Sequence, residues 1–217
     1  MNDESVNTLP LKGSKTKEKI LKHALKLFSA KGYRATTVRD IAGAVGIKQS
    51  ALYNHFQNKD EILATLISDL TSSAIVTLFS NKEGQVLHKQ GKALLMSIAT
   101  TFKLLSFDSQ NEALFKLLMQ EIFKNDRIRE IYNEYFYQEN VKKLSGIFFS
   151  MMQDEIICSS DPLLLANEFF SPLFFYQMQI SLLKLDKKST SSVISMFEKH
   201  VDYFWENIKH EPTDSLF

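Results

Sequence analysis

Two short apolar patterns separated by one glycine constrain this chain more than any other feature. Ile41, Ala42 and Val45 recur at helical spacing and Gly46 breaks the run. Ala51 and Leu52 resume it behind a polar rim of Lys48, Gln49, Ser50, Tyr53 and Asn54. Thr37 stands as N-cap of the first pattern, with Asp40 in a shortened capping box. The second helix is predicted from about Gln49 to His55. Ala42 and Ala51 are small enough for the two helices to cross closely. A short, tightly connected pair of this kind is the layout of a helix-turn-helix.

The flanks fit that layout. A core-facing stripe of Ile20, Leu21, Ala24, Leu25 and Phe28 predicts a helix from about Lys15 to Lys31, stopped by Gly32. Asn58 caps a fourth helix, with Glu61 at the capping-box position. Its apolar residues (Ile62, Leu63, Leu66, Ile67, Leu70, Ile75, Phe79) keep helical spacing until the turn signal at Asn81 to Gly84. Further helices are predicted over 86–106, 110–124, 127–153, 162–184 and 190–209. Asp161-Pro162 opens the fourth of these, and Pro172 should kink it. Only seven Gly and four Pro stand in 217 residues, so the fold class is all-α. The expected division is a flexible arm over 1–14, a three-helix helix-turn-helix domain over 15–60, and a helical bundle over 61–217.

The net charge of +1 hides an asymmetry. Residues 1–60 hold 11 Lys and Arg against 5 Asp and Glu, and residues 61–217 hold 15 against 20. A basic segment on a mildly acidic body points to an anionic partner for the first segment alone. Only the major groove distinguishes all four base-pair orientations, and an α-helix fits it. Gln49 can make a bidentate contact to adenine, Lys48 can reach guanine acceptors, and Ser50 can serve either, with Asn54 beside them. Thr37 and Arg39 are placed for the backbone, where the start of their helix favours phosphate. Tyr53, His55 and Lys59 suit further phosphate contacts, and Phe56 belongs in the core.

The segment TTVRDIAGAVGIKQSALYNHFQNKDEIL resembles the signature of the TetR family of transcriptional regulators. The matching pieces are Thr37-Val38, Asp40-Ile41-Ala42, Val45-Gly46-Ile47, Leu52-Tyr53, His55-Phe56 and Lys59-Asp60/Glu61. ALKLFSAKGYRATT extends the match forward to cover roughly residues 15–63. Lys48 stands where Ser is common and Ser50 where Gly is common, which bears on operator preference. The resemblance implies a homodimer that binds a near-palindromic operator in double-stranded DNA as a repressor and is released by a small molecule. It also implies a dimer interface in the last two helices, placing Phe175, Met178, Phe197, Val201, Phe204 and Trp205 there. A TetR-like protein controlled by a partner protein is the alternative.

Fifteen of 17 Phe and six of seven Met lie after residue 60. Core and dimer seam account for most of them. An aromatic-lined pocket would use Phe102, Phe115, Met119, Glu121, Phe123, Phe148, Met152, Phe170 and Phe174. Gln120, Asn167, Glu168 and Gln177 are polar residues that could orient a ligand, and Glu121 or Glu168 could pair with a cation. The fourth helix would join pocket to reader, so that its tilt sets the reader spacing. No nucleophile elbow, phosphate-binding Gly loop or zinc spacing is present, and His23, His88, His200 and His210 have no partner evident in the sequence. The expectation is therefore no enzyme, no cofactor and no metal. A helical adaptor whose helix-turn-helix binds protein is a further possibility, and the basic bias of residues 1–60 argues against it. Cys158, between apolar neighbours and a serine pair, reads as an inert small hydrophobe in a reducing compartment. No run is long and apolar enough for a membrane span, and the first residues lack a signal-peptide core, which predicts a cytoplasmic protein.

Overall fold

A computed structural model describes residues 12–72 and 87–210. Residues 1–11 of the arm expected over 1–14, the helix positions Ile75 and Phe79, and the turn at Asn81 to Gly84 lie outside them, and residues 12–14 are helical. The described residues form ten α-helices and no strand. Two compact units divide the chain, residues 1–66 and 67–217.

The first unit holds α1 (Lys12–Lys31), α2 (Val38–Val45), α3 (Gln49–Tyr53) and the start of α4 (Lys59–Ser72). α1 begins three residues before the expected Lys15. Ile20, Ala24, Leu25 and Phe28 of α1 are buried with Ile41, Ala42, Leu52, Phe56, Ile62, Leu63 and Leu66. Each break in this core is closed by a short-range bond. The α2 capping box is formed in both directions: Asp40 N donates to Thr37 Oγ1 at 3.1 Å and Thr37 N donates to Asp40 Oδ2 at 2.8 Å. Gly46 ends α2 at φ +79, where an L side chain is strained. Asn58 Oδ1 accepts from Glu61 N at 2.8 Å, while the Glu61 carboxylate reaches Gln57 N at 2.5 Å, one residue before the cap.

The second unit contains a 3₁₀ turn (Leu87–Gln90), α5 (Lys92–Leu105), α6 (Ser109–Glu121), α7 (Asp126–Ile131), a π-helical stretch (Tyr132–Glu139), α8 (Asn140–Gln153), α9 (Pro162–Leu185) and α10 (Ser191–Ile208). The helix expected over 127–153 is therefore continuous in outline but widens to π geometry in its middle. Asp161 caps α9 through Leu163 N at 2.8 Å and Leu164 N at 3.1 Å, and Pro172 lies inside α9 without ending it. α9 packs on α8 and α10, and α10 on α5. Their shared core includes Leu95, Ile98, Leu144, Phe148, Phe169, Leu173, Phe197 and Val201. Gly91 adopts φ +52, and a Cβ there would meet the Trp205 ring at 3.0 Å, so two constraints select glycine.

Several expectations fail at this level. Phe197 and Val201 are fully buried and Phe204 is 7% exposed within this one subunit, so none of them is available to a partner. Trp205 is partly buried against the same core. Cys158 is exposed, because residues 156–158 run as an extended segment beside the end of α10: Cys158 N donates to Ile208 O at 2.7 Å, and Ile157, not Cys158, turns inward. His88 and His200 do have partners, Asp154 at 2.8 Å and the Phe169 carbonyl at 2.9 Å.

Candidate nucleic-acid interface and body cavities

α3 is a single exposed polar row on a buried anchor. Leu52 is fully buried, while Lys48, Gln49, Ser50 and Asn54 are exposed and Tyr53 is 48% exposed. The anchor is reinforced by backbone bonds from His55 N and Phe56 N to Leu52 O, at 2.9 and 3.1 Å. The Gln49 amide approaches the Tyr53 hydroxyl one turn on, at 3.4 Å. A second N–H and the carbonyl oxygen of Gln49 stay free to face a base edge. Arg39 is exposed on α2. Thr37 is exposed too, but its hydroxyl is committed to Asp40. The Thr37 backbone and side-chain hydrogen bonds hold the Asp40 carboxyl below its ordinary range, so the cap stays charged.

Lys59 departs from expectation. Its ammonium turns inward and donates to Tyr33 O and Thr36 O, both at 2.8 Å, with Arg34 O at 3.5 Å. It also lies 4.3 Å from the centre of the Tyr33 ring. The Tyr33 hydroxyl in turn donates to Asp60. Lys59 therefore ties the α1–α2 connection to the start of α4. Thr36, which sequence reading passed over, completes the connection: it is fully buried and its hydroxyl donates to Gly32 O at 2.9 Å, satisfying a carbonyl at the end of α1. Its signal was present as a threonine between the Gly32 stop and the Thr37 cap. His55 is half-buried at the end of the row.

The body holds two adjacent cavities. The inner one, about 200 Å³, is lined by Phe102, Tyr132, Asn140, Val141, Asn167, Phe170, Ser171 and Phe174. The outer one, about 380 Å³, is lined by Met119, Ile122, Phe123, Arg129, Tyr132, Asn133, Phe174 and Met178. Of the expected residues, Phe102, Phe170 and Phe174 face the inner cavity and Met119, Phe123 and Phe174 the outer. Phe115 lies behind Phe174 in edge contact at 5.5 Å. Phe148 is consumed by the core, and Met152 packs against that core. Glu121 is buried but lines neither cavity, and Glu168 is exposed. Met178, expected at a dimer seam, lines the outer cavity. Tyr132 and Asn140 bracket the π-helical stretch, whose geometry apolar periodicity does not reveal.

Among the described residues no group of three His, Cys, Asp or Glu side chains could hold a metal ion, and no helix is long and apolar enough to cross a membrane.

Residues 20–66 match the family described as bacterial regulatory proteins, tetR family. The biofilm operon icaADBC HTH-type negative transcriptional regulator IcaR of Staphylococcus epidermidis is 40% identical over 67 residues, covering 31% of this chain and 36% of IcaR. The uncharacterized HTH-type transcriptional regulator YerO of Bacillus subtilis is 28% identical over 123 residues, covering 56% of this chain and 40% of YerO. The matches thus span well under half the length of these relatives. Among solved structures, a SmeT–triclosan complex superposes with a TM-score of 0.73 at 17% identity, over 94% of both chains. A transcriptional regulator from Saccharomonospora viridis in complex with choline gives 0.69 at 18% identity, over 91% of this chain and 100% of that one. These two likenesses show the fold, and residues 20–66, the helix-turn-helix segment, are similar to the tetR family of bacterial regulatory proteins.

Proposed function

We propose that this protein is a cytoplasmic, homodimeric transcriptional repressor that binds a near-palindromic operator and is released by a small apolar or aromatic molecule. One observation carries the DNA reading. Five exposed polar side chains (Lys48, Gln49, Ser50, Tyr53 and Asn54) project from a helix whose buried side is pinned by Leu52. Gln49 and Lys48 read bases in the major groove, Ser50 and Asn54 adjust that reading, and Arg39, Tyr53 and His55 contact phosphate. Lys59 acts within the fold. The negative regulator IcaR, which shares this segment, supports repression.

The homodimer is supported by α9, which is apolar all round and so needs cover on every side. Phe175 is 54%, Leu182 56% and Leu185 62% exposed in the single subunit. Phe175 and Leu182, with Met196 and Tyr203 on α10, replace Phe197, Val201 and Phe204 as the residues offered to a second copy. Triclosan and choline in similarly folded proteins support the small-molecule reading. Release follows if ligand favours one spacing of the two readers, since half-sites lie about 34–36 Å apart. α4 contains the last residue of the first unit and the first of the second, which makes it the covalent route for that change.

Selection from random duplex DNA, followed by anisotropy titrations at several salt concentrations, tests the reading. Enrichment of a two-fold-related site with a steep negative salt slope is expected. Failure to enrich any sequence would refute operator recognition.

A further inference from the structure

Gln49 and Tyr53 are the first and last residues of α3, and their side chains are joined by a hydrogen bond from Gln49 Nε2 to the Tyr53 hydroxyl at 3.4 Å. Four positions apart, the two share one face of the helix. Both are exposed. Lys48 starts α3 without a side-chain cap bond, and among the described residues no other side-chain hydrogen bond braces the exposed row.

The protons on this pair decide how it works. A phenolic hydroxyl has one proton to donate and lone pairs to accept. A glutamine amide has two N–H donors on one side and a carbonyl oxygen on the other. When Tyr53 gives its proton to a phosphate, its oxygen can only accept from its neighbour. Gln49 then turns Nε2 toward Tyr53 and its carbonyl oxygen away. One N–H is spent, and the second N–H and the oxygen remain for a base edge. Adenine offers the N7 acceptor and the N6 donor in the major groove and takes a bidentate contact from such an amide. Without a phosphate on Tyr53 the reverse arrangement also fits, with Tyr53 donating to the amide oxygen. It turns both N–H groups outward, toward a base edge that has only acceptors, such as guanine. A held amide also has less rotational freedom to lose on binding.

We propose that Tyr53 is a positioning residue for base reading: its contact with phosphate sets the Gln49 amide in the orientation that selects adenine. This rests on the DNA-reading assignment above and couples one backbone contact to one base contact.

The test uses the duplex that the full chain enriches from random DNA, together with its single-base variants. Anisotropy competition compares the parent, Gln49→Ala, Tyr53→Phe and the double variant. Tyr53→Phe keeps the ring and removes only the hydroxyl, and far-ultraviolet spectra should match throughout. The parent should prefer adenine about tenfold at the position where Gln49→Ala abolishes the preference. Tyr53→Phe should bind every duplex more weakly and, at that position alone, lose about threefold or more of the preference, as coupled neighbours do. In the Gln49→Ala background, Tyr53→Phe should weaken all duplexes equally. Replacing that adenine by 7-deazaadenine, which lacks the N7 acceptor, should cost the parent more than it costs Tyr53→Phe. A uniform loss in Tyr53→Phe with the adenine preference intact would overturn the proposal and leave Tyr53 a phosphate contact only. A change of preference that persists without Gln49, or a Gln49→Ala protein with unaltered preferences, would overturn it too. Failure to enrich any duplex would overturn operator recognition itself, and this coupling with it.

Discussion

In residues 1–66 most helix ends are closed by side chains only a few positions away, with Lys59 the long-range exception, whereas in residues 67–217 local caps are joined by polar contacts between residues far apart in the chain. Thr37 with Asp40, Asn58 with Glu61, and Gly46 are local devices. By contrast, Lys184 of α9 reaches Ser106 O and Glu112 Oε2, each at 2.7 Å, and lies 4.6 Å from the Phe107 ring. His200 stacks on Phe169 across the α9–α10 contact at 5.4 Å. Short constraints of this kind hold the exposed polar row of α3 in one arrangement. The body instead carries apolar surface beyond what its own core covers, with Phe175, Leu182 and Leu185 exposed.

The largest effect should come from confusing the body's two kinds of apolar residue. Phe197→Asp puts a charge into a sealed core and should cost more than about 4 kcal/mol, unfolding the body. Leu182→Asp, on an exposed position of α9, should leave the helical spectrum intact and convert dimers to monomers in sedimentation. A folded Phe197→Asp protein, or a Leu182→Asp protein that remains dimeric, would break the distinction.

Within the reader, Lys59→Met should cost about 1.5–3 kcal/mol, the range for hydrogen bonds made by a charged group. Denaturant titration of the first unit's transition measures it. Unchanged stability with weakened binding to all DNA would return Lys59 to the phosphate contacts. Gln49→Ala should leave stability alone and relax base preference by roughly 1–3 kcal/mol at one position of the site. Competition between selected and substituted duplexes reads that change directly. Thr37→Ala removes the α2 cap and should cost about 1 kcal/mol, visible as a small shift in the same denaturation midpoint.

The smallest effect concerns pH. Burial lowers the His200 pKa, against the raising influence of its hydrogen bond to the Phe169 carbonyl. The unfolded chain therefore takes up a proton near the ordinary histidine value that the folded chain resists. Stability contributed by neutral His200 should be complete above about pH 6.5 and decline below it. At Glu112 burial raises the pKa, but hydrogen bonds and charge from Lys116 and Lys184 outweigh it, and the net shift is downward. Its contribution is lost only at lower pH, through the acid side of the carboxylate range. Melting temperatures at pH 7.5 and 5.5 should converge in His200→Gln relative to the parent; an equal drop in both would assign the loss elsewhere.

Legibility differed between the two units for the same physical reason. The helix-turn-helix was readable because caps, stops and small crossing residues act within three or four positions, so Thr37, Gly46, Leu52 and Phe56 each declared a role. Lys59 misled because its acceptors lie more than twenty residues away, in a loop whose carbonyls have no sequence signature. In the body, apolar spacing located most of the helices, but α9 is apolar on all sides, and periodicity cannot say which side meets α8 and α10 and which stays exposed. Phe197, Val201 and Phe204 lie on the apolar stripe of α10, and spacing marks such a stripe without saying that this subunit's own core covers it. The π-helical widening at Tyr132 was equally silent, since it is a choice of backbone hydrogen bonds made after packing. The amino-acid sequence by itself determined an all-α chain, a basic helix-turn-helix segment with its local closures, and the resemblance of that segment to a known family. Tertiary structure alone decided which aromatic residues are core, which line the cavities and which remain exposed, because burial depends on neighbours that only the folded chain brings together.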